Sequence, residues 1–168
     1  MLIRTEAPVD ILAIDRLVKA AFDTEAEANL VMKLRENSQL TLSLVACSDD
    51  GEVIGHVMFS PVTVEGQDIN WQGLAPLSVK KEYRQQGVAS KLIQEALIML
   101  QDFSYPACVV LGDPDFYTRF GFKPASEYNL RCEWEVPSEA FLILGVDNYS
   151  LDEHQGLINY RSEFSDLV

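Results

Sequence analysis

From Ala89 to Leu100 the apolar residues Ala89, Leu92, Ile93, Ala96, Leu97 and Leu100 fall at the i, i+3, i+4, i+7 spacing of a helix with one buried face. The same spacing at Ile11, Ile14, Leu17, Val18 and Ala21, with Pro8 at the start and Asp10 in the first turn, predicts a helix ending near Phe22. Thr24-x-x-Glu27 reads as a capping box for a second helix through Leu30, Val31 and Leu34. Met1 to Glu6 reads as a first strand. Thr41 to Cys47 turns Leu42, Leu44 and Ala46 inward, and Asp49-Asp50-Gly51 folds it into Glu52 to Val62 as an antiparallel hairpin. A second turn at Glu65 to Asp68 leads into Trp71 to Val79, an apolar strand interrupted by Gly73 and Pro76. Ala107 to Leu111 and Phe141 to Val146 supply two further buried strands. Asp113-Pro114, an N-cap acid and then proline at the first helical position, starts a helix that Gly121 stops, about two turns carrying Phe116, Tyr117 and Phe120. This order predicts a mixed α/β fold around a largely antiparallel sheet flanked by about four helices.

A chain of 168 residues suits one domain, since domains typically run about 100–200 residues. Residues 1–147 carry the patterned elements. Residues 148–168 are polar with scattered Leu151, Leu157, Ile158, Tyr160 and Phe164, and read as a C-terminal extension packed on the same domain. The apolar runs are too short to span a membrane and Met1-Leu2-Ile3-Arg4 does not resemble a signal peptide, so the expected setting is cytoplasmic, with no membrane partner. Cys47, Cys108 and Cys132, an odd number without metal-ligand spacing, read as buried thiols, and no metal is expected. A formal charge of −13 argues against nucleic-acid binding, which needs Lys and Arg to neutralise phosphates. It mildly favours cationic partners through long-range steering, and it equally describes a surface shaped by solubility.

Charge is nevertheless gathered at one place. Lys80, Lys81, Arg84 and Lys91 are four of the 13 Lys and Arg residues, set around a Gln-rich loop that enters the helix after Gly87. No Ser, Thr, Asp or Asn stands at that helix start to accept from its first N–H groups. Those donors, the positive end of the helix dipole and the close approach that Gly87 permits make an anion site. In the preceding strand Pro76 has no N–H for a ladder, so the sheet is expected to part there. The backbone groups of Leu77 and Val79 would then pair with an extended ligand leading to the anion site. An amide arm ending in a diphosphate, as in coenzyme A, fits both features.

At Leu77-Ser78-Val79 and Arg84-Gln85-Gln86-Gly87-Val88-Ala89 the chain resembles the GNAT superfamily of N-acetyltransferases, whose signature is a Leu-x-Val strand end followed by a Gln/Arg-x-x-Gly-x-Gly/Ala pyrophosphate loop. Two further blocks, Gly55 to Val62 and Leu111 to Phe122, are similar to its YhbS-type branch. The resemblance implies a GNAT-like fold splayed between the fourth and fifth strands. It also implies acetyl-CoA as cosubstrate, without a metal, and transfer of acetyl to a primary amine by direct attack in a ternary complex. On the same resemblance Leu77 N–H is the oxyanion donor, and Leu77, Ser78 and Val79 bind the pantetheine arm. Arg84, Gln85, Gln86, Gly87, Val88, Ala89 and Ser90 hold the pyrophosphate, and Tyr117 is the general acid that protonates the departing thiolate. Such families often form a homodimer, though no stretch here identifies an interface.

The chain departs from better-described relatives in one respect: it has Gly73 where those carry a catalytic glutamate four residues before Leu77. Several other groups border the expected acceptor site or could act as base. Asp23 and Glu25 could attract an ammonium group, but read first as helix-terminus acids. His56 reads first as a hydrogen-bonded core histidine. Glu65 and Asp68 could serve only if their turn folds over the cleft, and Asp113 reads as a cap. A noncatalytic acyl-CoA-binding sensor is the alternative, favoured by the missing carboxylate and opposed by Tyr117.

Overall fold

The structure, a computed structural model, describes residues 1–167. In chain order it contains β1 (Leu2–Thr5), α1 (Ile11–Ala21), α2 (Ala26–Glu36), β2 (Leu42–Cys47), β3 (Val53–Pro61), β4 (Thr63–Val64) and β5 (Gln72–Val79). There follow α3 (Val88–Asp102), β6 (Ala107–Leu111), α4 (Pro114–Tyr117), β7 (Lys123–Pro124), β8 (Leu130–Cys132), β9 (Phe141–Gly145) and β10 (Gly156–Asn159). One sheet has the order β1-β2-β3-β5-β6-β9-β7 and a second the order β4-β10-β8. In the larger sheet β1 with β2, β2 with β3, β6 with β9 and β7 with β9 are antiparallel, while β5 with β6 is parallel. This is the mixed fold that the order of patterned segments predicts. Among the described residues no helix is long and apolar enough to cross a membrane.

The chain divides into two compact units. The first holds residues 1–59, 75–96 and 163–167, with a core that includes Ile14, Val18, Leu34, Leu44, Phe59 and Leu92. Within it α3 lies against β3 at Gly55, where a Cβ would stand 2.9 Å from Val88 Cγ1 and 3.1 Å from Leu92 Cδ1. That contact fixes the start of α3. β2 is buried at every position rather than on one side only, because both of its faces are covered. Thr24 and Glu27 do not form the predicted capping box, since α2 begins at Ala26. The Thr24 hydroxyl instead accepts from Ala26 N–H at 3.3 Å and donates to Glu27 Oε1 at 3.4 Å.

The second unit holds residues 60–74 and 97–162. Its core includes Trp71, Val109, Phe122, Leu142 and Ile158. Much of the polar stretch after residue 147 is built into this unit: β10 pairs with β4 on one side and with β8 on the other. Cys47 and Cys108 are buried as expected, and Cys132 is half-buried.

The sequence places the parting of the sheet near Pro76, and the pairs of β5 with β6 run from Gln72↔Cys108 to Leu74↔Val110 and end just before it. A second irregularity follows from the bonds to β3. Val62 N–H donates to Trp71 O at 3.0 Å and Lys80 N–H to Ile54 O at 2.8 Å. Those partners are eight residues apart on the β3 side and nine on the β5 side. One extra residue therefore lies between Trp71 and Lys80, which is a β-bulge. Val79, next to Lys80, directs its N–H away from β3, on the stretch that follows the last pair with β6.

Candidate active site

The loop from Lys80 to Gly87 is shaped by its own side chains. Arg84 Nε donates to Val79 O at 3.1 Å, and Gln86 Nε2 donates to Glu82 O at 3.0 Å. Gln85 and Gly87 take left-handed backbone angles, φ 62° and 82°, which bring the chain into α3. Lys91 N–H donates to Gly87 O at 3.0 Å, so helical bonding starts from Gly87. Apart from its own stretch of backbone, no atom of the described residues lies within 4 Å of where a Gly87 Cβ would stand. The first N–H groups of α3 and the positive end of its dipole stand at this start, directly after Gly87.

The gathered cations are not equally available. Lys80 is paired with Glu52, and Lys91 Nζ stands 3.4 Å from Glu95 Oε1 one turn along the helix. Lys81 and Arg84 are exposed, and they line a cavity of about 380 Å³ that also meets Val79 and Arg16. Arg84 therefore shapes the strand end through Nε while adding charge to the loop.

His56 is completely buried, as a core histidine should be, but its surroundings are polar. Ile54 stands opposite Lys80, which by alternation sets His56 opposite Ser78. His56 Nε2 lies 2.9 Å from Ser43 Oγ, and Ser43 donates to Glu6 Oε1 at 2.5 Å. Arg35 holds the same carboxylate through Nε at 3.0 Å and Nη2 at 2.9 Å. Because Ser43 gives its one proton to Glu6, Nε2 of His56 carries the hydrogen, and Nδ1 is a buried acceptor with no partner among the described residues. Burial pushes the imidazole down to about 4; Arg35 pushes the same way and Glu6 opposes. For Glu6, burial is the largest influence and pushes up, yet the bonds from Arg35 and Ser43 leave the carboxyl below its usual range.

Neutral burial of His56 has a consequence for stability. Between pH 6.5 and about 4 the unfolded chain binds a proton at His56 that the folded chain refuses, so this contribution is complete above 6.5 and is lost as pH falls. The loss is on the order of 3 kcal/mol by the 1.36 kcal/mol per pH unit relation. Urea titrations at pH 7 and pH 4 are expected to show it in the wild type and to show a smaller loss in His56→Gln. Equal losses in the two proteins would refute the assignment.

Tyr117 closes α4, which continues as one tighter turn over Thr118–Phe120 and stops at Gly121, φ 100°. Asp113 caps the helix as predicted: its carboxylate accepts from Asp115 N–H at 2.9 Å and its carbonyl from Tyr117 N–H at 3.1 Å. The Tyr117 ring is 7% exposed, with ring centroids at 4.9 Å from Phe116 and 5.5 Å from Phe122. It lies directly on Gly112, where a Cβ would come within 2.4 Å of it. Burial, with a smaller effect from Cys108, raises the phenol above its ordinary range, so it remains a proton donor throughout the physiological range.

The other acids named from the sequence have structural duties or stand in solvent. Glu65 Oε2 accepts from Leu157 N–H at 3.1 Å, and Asp68 Oδ1 from Asn70 N–H at 2.9 Å. Asp23 and Glu25 are exposed beside the start of α2. Among the described residues no group of three or more His, Cys, Asp or Glu could hold a metal ion. The predicted coenzyme residues from Leu77 to Ser90 all lie in the first unit, and Tyr117 lies in the second. Sequence reading misses the packing of the Tyr160 ring on Gly73, whose one signal is a buried strand position without a side chain of its own.

The acetyltransferase (GNAT) domain model matches residues 40–124. The chain is 47% identical over 165 residues to the N-acetyltransferase YhbS of Escherichia coli K12, covering 98% of this chain and 99% of the relative. A crystal structure of E. coli YhbS in complex with CoA superposes with a TM-score of 0.94, covering 98% of this chain and 91% of that one. A GNAT family acetyltransferase from Brucella melitensis in complex with acetyl-CoA is 35% identical, with a TM-score of 0.81 and 97% of each chain covered.

Proposed function

The chain belongs to the GNAT acetyltransferase family, and from that premise we propose that it transfers acetyl from acetyl-CoA to a primary amine by direct attack in a ternary complex. The observation that carries this reading is the start of α3 directly after Gly87, in its left-handed conformation, reached from the strand end at Val79 that leaves the pairing with β6. The backbone N–H groups from Gln85 to Ser90 hold the pyrophosphate, and Arg84 adds charge. Ser78 contributes backbone only, since its side chain is buried on the face shared with His56. Val79 aligns the pantetheine arm, and Leu77 N–H polarises the thioester carbonyl and holds the oxyanion.

In the reaction the neutral amine forms the C–N bond, the C–S bond breaks, and the proton lost from nitrogen leaves through water. Tyr117 gives its phenolic proton to the thiolate and regains one from solvent. Its raised pKa keeps that proton available while making it a weaker acid, so the transfer depends on a desolvated and therefore more basic thiolate.

A thiol-release assay with acetyl-CoA and a panel of primary amines tests the reading. Amine-dependent thiol release with an acetylated product supports it. The missing carboxylate at Gly73 favours a noncatalytic acyl-CoA sensor as the second reading. Coenzyme-dependent thermal stabilisation without thiol release toward any amine would select that one.

A further inference from the structure

A cavity of about 380 Å³ opens within the first unit, lined by one face of α1, the start of β3, the end of β5 and the loop that follows it. On α1 the face is Ala13, Arg16, Leu17 and Ala20, at the i, i+3, i+4, i+7 spacing that brings side chains together. Val53 and Val79 complete the apolar lining from the strands. Leu17 is buried and Ala13, Val53 and Val79 are half-buried, so this lining belongs to the packed side of the helix and the sheet.

The charged groups at the cavity are unevenly divided. Lys80 is neutralised by Glu52, and of the others Arg16, Lys81 and Arg84 stand with the single acid Glu82. That is an excess of two positive charges, in a chain of formal charge −13. Among the described residues Arg16 and Lys81 have no side-chain hydrogen bond or ion pair. Arg84 Nε is held by Val79 O at 3.1 Å, which fixes the guanidinium at the strand end and leaves Nη1 and Nη2 to a ligand.

We propose that this cavity binds an organic monocarboxylate, its apolar body against α1 and its carboxylate between Arg16 and Arg84. Small-molecule pockets of about 300–1,000 Å³ combine apolar walls with a few placed polar groups, and this cavity has both. A guanidinium donates two parallel N–H bonds to a carboxylate, and an aliphatic body gains by leaving water for the alanine and valine lining. Arg84 also belongs to the coenzyme loop. With the coenzyme bound its charge is shared with the pyrophosphate, so the excess left to the cavity is close to one charge and suits a monoanion. Two sources supply that chemistry. One is an acceptor that carries a carboxylate as well as its amine, since Leu77, which holds the thioester carbonyl on the reading above, is two residues and about 7 Å from Val79 along the strand. The other is a free carboxylate that binds without reacting. Only the first source rests on the amine-acetylation reading.

Calorimetry on the full chain with butanoate, hexanoate and octanoate is expected to show saturable binding that tightens about two- to four-fold per added methylene. Arg16→Glu reverses a charge outside the coenzyme loop, and is expected to weaken octanoate binding at least ten-fold while acetyl-CoA binds as in the wild type. Ala13→Leu fills the cavity with a good helix former, is expected to have the same effect, and supplies the measurement if Arg16→Glu does not fold. Absence of octanoate binding to the wild type, or equal binding by the folded variants, overturns the proposal. Thiol release with 6-aminohexanoate and with hexylamine separates the sources. A kcat/KM at least ten-fold higher for 6-aminohexanoate, lost in Arg16→Glu, identifies the acceptor, and octanoate binding without that preference identifies a free carboxylate. A wild type that releases no thiol with any amine overturns the transferase reading, while the calorimetry still decides the cavity.

Discussion

Gly87→Glu is expected to abolish acetyl-CoA binding while the protein stays folded. The substitution places a carboxylate where the N–H groups at the start of α3 would meet a pyrophosphate, and the expected loss of affinity is 100-fold or more. Two effects must be separated. At φ 82° any L-residue is strained, by about 1–2 kcal/mol, whereas no neighbouring atom obstructs a side chain. Gly87→Ala carries the strain without the charge and serves as the control. It is expected to melt a few degrees lower and still to bind. Calorimetry with acetyl-CoA on the wild type and both variants makes the comparison, and micromolar affinity retained by Gly87→Glu would remove the anion site from this loop.

Tyr117→Phe is expected to lower kcat by about 100-fold, the lower end of what a positioned general acid contributes, with little change in affinity for acetyl-CoA. The ring contacts with Phe116 and Phe122 survive the change, so stability should move little. Gly112→Ala approaches the same group from the other side, because its methyl carbon would stand 2.4 Å from the Tyr117 ring and force it to move. A similar fall in kcat is expected there, with a loss of stability of about 1–3 kcal/mol from overpacking. Wild-type turnover in Tyr117→Phe would return this residue to the core. Since burial holds the phenol protonated, its own ionisation should leave no basic limb in the kcat profile below pH 10.

Much of the coenzyme-binding reading is legible from local pattern. The rhythm of α3 and Gly87 lie within a few residues of one another, and the structure keeps them in that relation. Asp113, Pro114 and Gly121 likewise mark the short helix of Tyr117 because cap and stop are local devices. The departure at Thr24 has a local cause: α2 starts at Ala26, so the Thr24 hydroxyl bonds Ala26 N–H and Glu27 Oε1 instead of forming the capping box. Residue type is legible, but the partner is set by the exact start of an element.

Taken alone, the order of residues determined the class of fold, the position of the helix start after Gly87 and the two-turn helix that carries a tyrosine. These depend on periodicity, caps and turns, whose energies act over a few residues. Tertiary structure decided what surrounds them: His56 joined through Ser43 to Glu6 and Arg35, Lys80 neutralised by Glu52, and Tyr160 laid over Gly73. The partners in those contacts come from distant segments of the chain. Only strand pairing and close packing bring such segments together, and neither leaves a periodic mark in the sequence.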